Sequence, residues 1–240
     1  MSLNTTIDFL SSLLEAKSED QLLSSLDQAA QRCGFEKFLV GMQWHGPQGD
    51  LRYRVLSGYP MPWQQLYLER GYVGIDPTVA YCQSSDAPLV WSEDLFLETD
   101  SMPMLEEARR FGLGFGISLP IHEMHGVKSM VSLARDQAFD DAREEAELVS
   151  SGRLLANCAH FAYRKFLHGE MRGEVEQSLS GQERECLRWV ALGKTSYEIG
   201  RILHISEGTV VFHIKNLMEK LDVKNRPQAV AVAFRLGLIH

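Results

Sequence analysis

Between Gly58 and Trp91 the chain gathers Tyr59, Trp63, Tyr67, Tyr72, Tyr81 and Trp91 around Asp76, which Pro77 follows. Each of these aromatics has an apolar body and one hydrogen-bonding group, which needs a partner when buried. A carboxylate enclosed among them is costly unless something donates to it. Residue types leave two readings open. In one, Asp76 caps a helix entered through Pro77, and the aromatics are core. In the other, polar handles converge in an apolar lining and form a pocket for a small molecule bearing amide and carbonyl groups.

A second constellation lies between Thr195 and Leu221. Val210, Ile214, Leu217 and Leu221 share one arc of a helix and form its packing stripe. The opposite face carries Gly208, Val211, Phe212, Lys215, Asn216 and Glu219. An apolar pair beside a cation and an amide suits a DNA major groove, where thymine methyls, base-edge acceptors and phosphates lie close together. Capping patterns divide the region: Ser180 with Glu183, Thr195 with Glu198, and Ser206 ahead of the reading helix. The first of these helices, through Cys186, Leu187 and Val190, ends at Gly193. A fourth spans 226–236, with Ala229, Val230, Val232, Ala233 and Leu236 before Gly237. Four short helices containing a helix-turn-helix are expected.

The elements that must position the aromatic cluster are of mixed type. Ser18 with Gln21 makes a capping box, and Leu22, Leu26, Ala29, Ala30 and Cys33 form an apolar stripe up to Gly34. Strand-like runs follow at Lys37–His45 and Leu51–Ser57, about a Gly-Pro-Gln-Gly-Asp turn. Two more, Phe115–Ile121 and Val127–Ala134, read as a hairpin. His122 and His125 fall at its tip and lack the further ligands that a metal needs. The chain from Asp140 to Leu167 reads as helix, with Leu148, Leu155, Ala159, Ala162 and Phe166 on one side. The class is α+β: an N-terminal α-β-α sandwich around an antiparallel sheet, then a small all-α four-helix domain. Residues 168–178 are polar with two glycines and read as a linker. The expected domains are 1–168 and 179–240, joined by 169–178.

With 240 residues, 45% of them hydrophobic, the chain can bury one good core and a small second one. Its net charge of −8 is unevenly placed: residues 179–240 hold nine Lys or Arg against six Asp or Glu, leaving +3 there and −11 before it. So modest a positive charge gives weak non-specific DNA affinity, which favours a dimer that doubles the phosphate contacts. The four cysteines are widely spaced, with no C-x-x-C pair for zinc or dithiol chemistry. The start lacks a basic signal region and no apolar run approaches a membrane span, so a cytoplasmic protein is expected.

Residues 179–240 resemble the GerE-type DNA-binding domain of LuxR-family transcription regulators, along their whole length. The resemblance implies that the third helix enters the major groove. Val211, Phe212 and Lys215 then face bases, with Thr195, Ser196, Thr209, Lys224, Asn225 and Arg226 near phosphates; Asn216, on the same helix face, is counted with the DNA-binding residues. The N-terminal part is similar to the autoinducer-binding domain of receptors for N-acyl-homoserine lactones of the LasR type. The matching pattern is Tyr59-Pro60, Trp63, Tyr67, Tyr72, Asp76-Pro77, Val79 and Trp91.

By that resemblance Trp63 donates to the lactone carbonyl, and Asp76 accepts from the ligand amide. Tyr59 and Ser132 bind the amide carbonyl, and Trp91 packs on the lactone ring. Gly116 matches a family glycine, while Leu39, Gly41, Tyr67, Val79 and Met130 line the acyl tunnel. The expectation is a lactone-dependent activator, without cofactor, that dimerises on a palindromic operator and has RNA polymerase as a further partner. Two alternatives stand beside it: a regulator sensing another small molecule, and a lactone hydrolase using Asp76. Against the hydrolase, no Ser-His or Cys-His arrangement or metal cluster is visible beside the aromatic segment.

Overall fold

The computed structural model describes residues 12–46, 50–123 and 126–239, without the side chains of 168–178. The chain divides into two compact units, one holding most of the sheet and the other the C-terminal helices, with Trp44, His45, Leu51 and Arg52 of the sheet counted in the second.

In the first unit, helix α1 (Glu19–Arg32) starts where Ser18 Oγ accepts from the Gln21 N–H. The Gln21 side chain reaches the Lys17 N–H at 2.9 Å rather than that of Ser18, so only half of the expected box forms. Strands β1 (Lys37–His45), β2 (Leu51–Ser57), β3 (Leu89–Val90), β4 (Phe115–His122) and β5 (Lys128–Arg135) form one sheet in the order β2-β1-β5-β4-β3. The β1–β5, β4–β5 and β3–β4 pairs are antiparallel. Strand alternation sorts the side chains: Phe38, Val40 and Met42 are buried, while Leu39, Gly41 and Gln43 alternate with them. Across from these three, in register, stand Ser132, Met130 and Lys128.

Helix α6 (Ala142–Ser178) lies on one sheet face. A Cβ on its Gly152 would stand 2.7 Å from Ile117 and 3.1 Å from Leu133, so glycine sets the close approach there. The other face is covered by α2 (Met61–Glu69), a 3-10 turn at Tyr72–Gly74, α3 (Pro77–Ser84), α4 (Glu93–Glu98) and α5 (Met102–Arg109).

The helix expected to end at Leu167 continues to Ser178, so the stretch expected as a linker has a helical backbone. Gly169 and Gly173 each cost about 1 kcal/mol in a helix interior. The residues around them, among them Glu170, Met171, Arg172, Glu174 and Gln177, are good helix formers, and extending an existing helix needs no new nucleus.

The C-terminal part of the second unit has four helices: α7 (Gly181–Ala191), α8 (Ser196–Leu203), α9 (Glu207–Lys220) and α10 (Arg226–Arg235). Both expected capping boxes are complete, Ser180 with Glu183 and Thr195 with Glu198. Gly193 follows α7 with φ +78°. Cys186, Leu187, Ile199, Val210, Ile214, Leu217, Ala229 and Ala233 fill the core. The turn between α8 and α9 brings the Ile205 carbonyl oxygen to 2.8 Å from where a Cβ on Gly200 would lie. The carboxylate of Glu183, nearly buried, takes the Lys220 ammonium at 2.7 Å and ties the end of α9 to the start of α7. Among the described residues, no helix is long and apolar enough to cross a membrane.

Candidate functional site

A cavity of about 390 Å³ lies between the second sheet face and the short helices, a size typical of small-molecule pockets. Of the residues expected there, Leu39, Gly41, Tyr59, Trp63, Tyr67, Asp76, Val79, Trp91, Met130 and Ser132 line it. Gly116 does not. It sits beneath the Trp91 ring, where a Cβ would come within 3.0 Å of the indole and 2.5 Å of the Leu133 oxygen. Its part is to let Trp91 lie close to the sheet.

Both readings of Asp76 hold together. Oδ1 caps α3, accepting from the Thr78 N–H at 2.8 Å and the Thr78 hydroxyl at 2.7 Å. Oδ2 accepts from the Tyr67 hydroxyl at 2.9 Å. With three of about four acceptor sites used, the carboxylate keeps one for a donor in the cavity. Trp63 packs between Tyr67, Tyr72 and Phe111, with ring centroids 5.8–6.0 Å away. Its indole N–H has no partner among the described residues. Tyr72 is not part of the lining; it supports Trp63 from behind and donates to Glu107 at 2.5 Å.

A hydroxyl relay runs beside these groups. Trp91 Nε1 donates to Ser118 at 2.9 Å, and the Ser118 and Ser132 hydroxyls are 2.8 Å apart. An indole can only donate. Ser118 is fully buried, so passing its own proton to Ser132 satisfies it. The Ser132 proton is then left to point onward. The nearby Tyr59 hydroxyl is buried without a hydrogen-bond partner among the described residues. Burial first, and then the charge of Asp76, push the Tyr59 phenol far above its ordinary pKa, tempered by Ser132. The same two causes raise Tyr67. Both stay protonated and act as donors. Burial, with Asp76, raises the Cys82 thiol to about 12, so it is no nucleophile at neutral pH.

Tyr53, Val55, Leu68 and Val73 also line the cavity, yet each is more than half exposed, so one side has an apolar rim in water. Sequence reasoning missed these residues, and also Ser118, Ser129, Gln43, Gln83 and Lys128. Ser118 and Lys128 emerge only from strand register, which pairs Ser118 with Ser132 and Gln43 with Lys128.

A Ser-His contact does exist in this unit. The buried Ser129 hydroxyl lies 2.7 Å from His160 Nδ1. Strand alternation, however, places Ser129 with Val131 and Leu133, on the face that α6 covers, opposite to Met130 and Ser132. Ser129 still borders the cavity, but its hydroxyl is engaged by His160 of α6, so the pair fastens α6 to β5. His122 bonds the Cys82 carbonyl oxygen and the Asp86 carboxylate, and His125 lies outside the described residues.

In the second unit the stripe of α9 is buried as expected, and Val211, Phe212 and Lys215 are exposed. Asn216 is half-buried. Thr195, Lys224 and Asn225 are exposed, and Thr209 bonds Ser206 at 2.7 Å. Ser196 differs from expectation. Its side chain is buried and accepts from the Arg226 guanidinium at 2.7 Å, leaving its backbone N–H at the start of α8 as the group suited to an anion.

A sheet-backed small-molecule pocket and a helix-turn-helix unit in one chain define a ligand-responsive transcription regulator. Residues 18–163 match the family model for the autoinducer binding domain, and residues 177–233 that for bacterial regulatory proteins of the luxR family. The chain belongs to the LuxR family and is an autoinducer-responsive regulator. It is 34% identical to the transcriptional activator protein AnoR of Acinetobacter nosocomialis over 97% of this chain and 98% of that one. It is 36% identical to the quorum-sensing regulator RhlR of Pseudomonas aeruginosa, over 89% and 88%. Among solved structures it is similar to SdiA in complex with octanoyl-rac-glycerol, with a TM-score of 0.77 and 27% identity, over 99% of this chain and 96% of that one.

Proposed function

We propose that this regulator binds an N-acyl-homoserine lactone in the cavity and, as a homodimer in the cytoplasm, a palindromic operator through α9, activating transcription with RNA polymerase as a further partner. The observation that carries the ligand is the set of polar groups facing one apolar space. Among the described residues the Trp63 N–H and the Tyr59 O–H lack partners, the Ser132 proton points onward, and Asp76 keeps an acceptor site. A lactone carbonyl, an amide carbonyl and an amide N–H complement them in turn. Trp91, held flat over Gly116, is placed to stack on the lactone ring. Val211, Phe212, Lys215 and Asn216 read bases, while Thr195, Thr209, Lys224, Asn225, Arg226 and the N–H of Ser196 meet phosphates. The ligand acts by completing the core of the first unit, and no covalent step follows.

A second ligand class stays in the test because similar SdiA was solved with an acylglycerol. Such a ligand has no amide N–H for Asp76 and would use a glycerol hydroxyl there. The protein is expressed with and without a panel of acyl-homoserine lactones, and extracted small molecules are identified by mass spectrometry. Recovery of intact lactone supports the reading; recovery of the ring-opened acid points to hydrolysis, and retention of acylglycerol alone rejects the lactone. Sedimentation with a palindromic and a half-site duplex tests the dimer.

A further inference from the structure

The register of β1 against β5 divides the cavity floor into three levels. Leu39 faces Ser132 at the first, beside the Tyr59 and Trp91 groups. Gly41 faces Met130 at the second, the apolar stretch. Gln43 faces Lys128 at the third, which is about 13 Å from the first at the usual strand rise. The third level is polar. Gln83, from α3, donates its side-chain amide to the Gln43 side-chain oxygen at 2.6 Å. The Lys128 ammonium donates to the Gln83 carbonyl oxygen at 2.5 Å. All three residues line the cavity and are partly buried.

This arrangement is wrong for the end of a purely apolar tunnel. Lys128 has three N–H donors and, among the described residues, one acceptor and no carboxylate to pair with. Among those residues, Asp76 is the only carboxylate lining the cavity, and it stands at the head end, engaged with Thr78 and Tyr67. An alkyl terminus reaching the third level would strip water from an ammonium and two amides and return nothing to them. An oxygen there would accept from Lys128 and from the unused Gln43 N–H groups.

We propose that the far end of this cavity selects an acyl tail whose terminus carries an acceptor oxygen, a carboxylate ahead of a hydroxyl. The inference rests on the proposed reading of the cavity as an acyl-chain site, and it adds the chemistry of the tail. Lys128 is the specificity-determining residue, and Gln83 and Gln43 hold it in place.

The test uses the full-length protein and matched tails from octanoyl to dodecanoyl, each ending in methyl, hydroxyl or carboxylate. Every tail is mounted on homoserine lactone and also on ethanolamine, and dissociation constants are measured by calorimetry. At the length that reaches Lys128, the oxygenated tail is expected to bind at least about tenfold more tightly than its alkyl match, as a hydrogen bond to a charged group implies. Lys128→Met is expected to reverse that order. Gln43→Leu serves should Lys128→Met fold poorly, and is expected to narrow the preference. If ethanolamides bind as well as lactones, the lactone reading fails while the tail comparison still stands. Should the methyl tail bind as tightly as the oxygenated one at every length on both heads, or should no member of either series bind, the proposal is overturned.

Discussion

The two oxygens of Asp76 face different partners, so its two roles separate by substitution. Asn is as good an N-cap as Asp and keeps an oxygen for the Thr78 N–H. Asp76→Asn is therefore expected to change stability by less than about 0.5 kcal/mol. It should weaken lactone binding about tenfold or more, since a charge-assisted acceptor is removed. Asp76→Ala should lose the same affinity and about 1 kcal/mol of stability as well. Urea unfolding and titration calorimetry on both variants read the two effects independently. Tyr59→Phe removes a buried hydroxyl that has no partner among the described residues, so its melting temperature should hold or rise. Lactone affinity should fall by about 0.5–1.5 kcal/mol; a drop in melting temperature would show that the hydroxyl is used elsewhere. At this scale the sequence was most legible where a motif is local, as from Tyr59 to Asp76. It was least legible for Ser118, whose importance comes from a cross-strand neighbour and an indole 27 residues away.

At the scale of elements, close approach and end-pairing decide stability. Gly200→Ala puts a methyl against the Ile205 oxygen and should destabilise the second unit by about 1–3 kcal/mol, measured by thermal unfolding. Glu183 is a pH-sensitive fastening. Desolvation opposes its charge, yet Lys220 and the Ser180 N–H outweigh that and hold the carboxyl below its ordinary range. A lowered folded-state pKa gives stability that is full above the unfolded value of about 4.3 and is lost as pH falls through the folded one. Glu183→Gln should therefore lower stability at neutral pH and flatten the acid limb of the stability profile. The helices of this unit were legible because their caps are written in adjacent residues. The stretch at 168–178 was not, since glycine and polarity also suit a loop and the helix was extended from upstream. Strand β3, two residues long, carries no periodicity to read.

At the scale of the whole molecule, the cavity wall draws on residues from Leu39 to Ser132, so its lining depends on strand register and on five short elements packing together. No window of sequence contains that. Saturating ligand at a hundred times its dissociation constant should stabilise the protein by about 2.7 kcal/mol if only the folded state binds. A melting temperature unmoved by every lactone and acylglycerol would speak against the site. For DNA, Phe212→Ala should lose discrimination between operator and scrambled duplex with an unchanged salt slope, because an apolar contact releases no counterions. Lys215→Ala should change base preference by about 1–3 kcal/mol for each base edge it reads. Arg226→Ala should reduce the salt slope by about one for each phosphate that the guanidinium neutralises. Its bond to Ser196 adds a structural cost that the sequence did not disclose, so the melting temperature of that variant must be measured beside its affinity.

The rim formed by Tyr53, Val55, Leu68 and Val73 has a calorimetric consequence. Those side chains keep much of their apolar surface in water at the edge of the cavity. A tail that lies against them removes protein surface as well as its own from solvent, and apolar burial gives a negative heat-capacity change. The binding enthalpy should grow more exothermic on warming, with a slope steeper than the ligand's own area accounts for. Replacing Leu68 and Val73 by serine should shrink that slope while leaving the polar contacts at Asp76 intact.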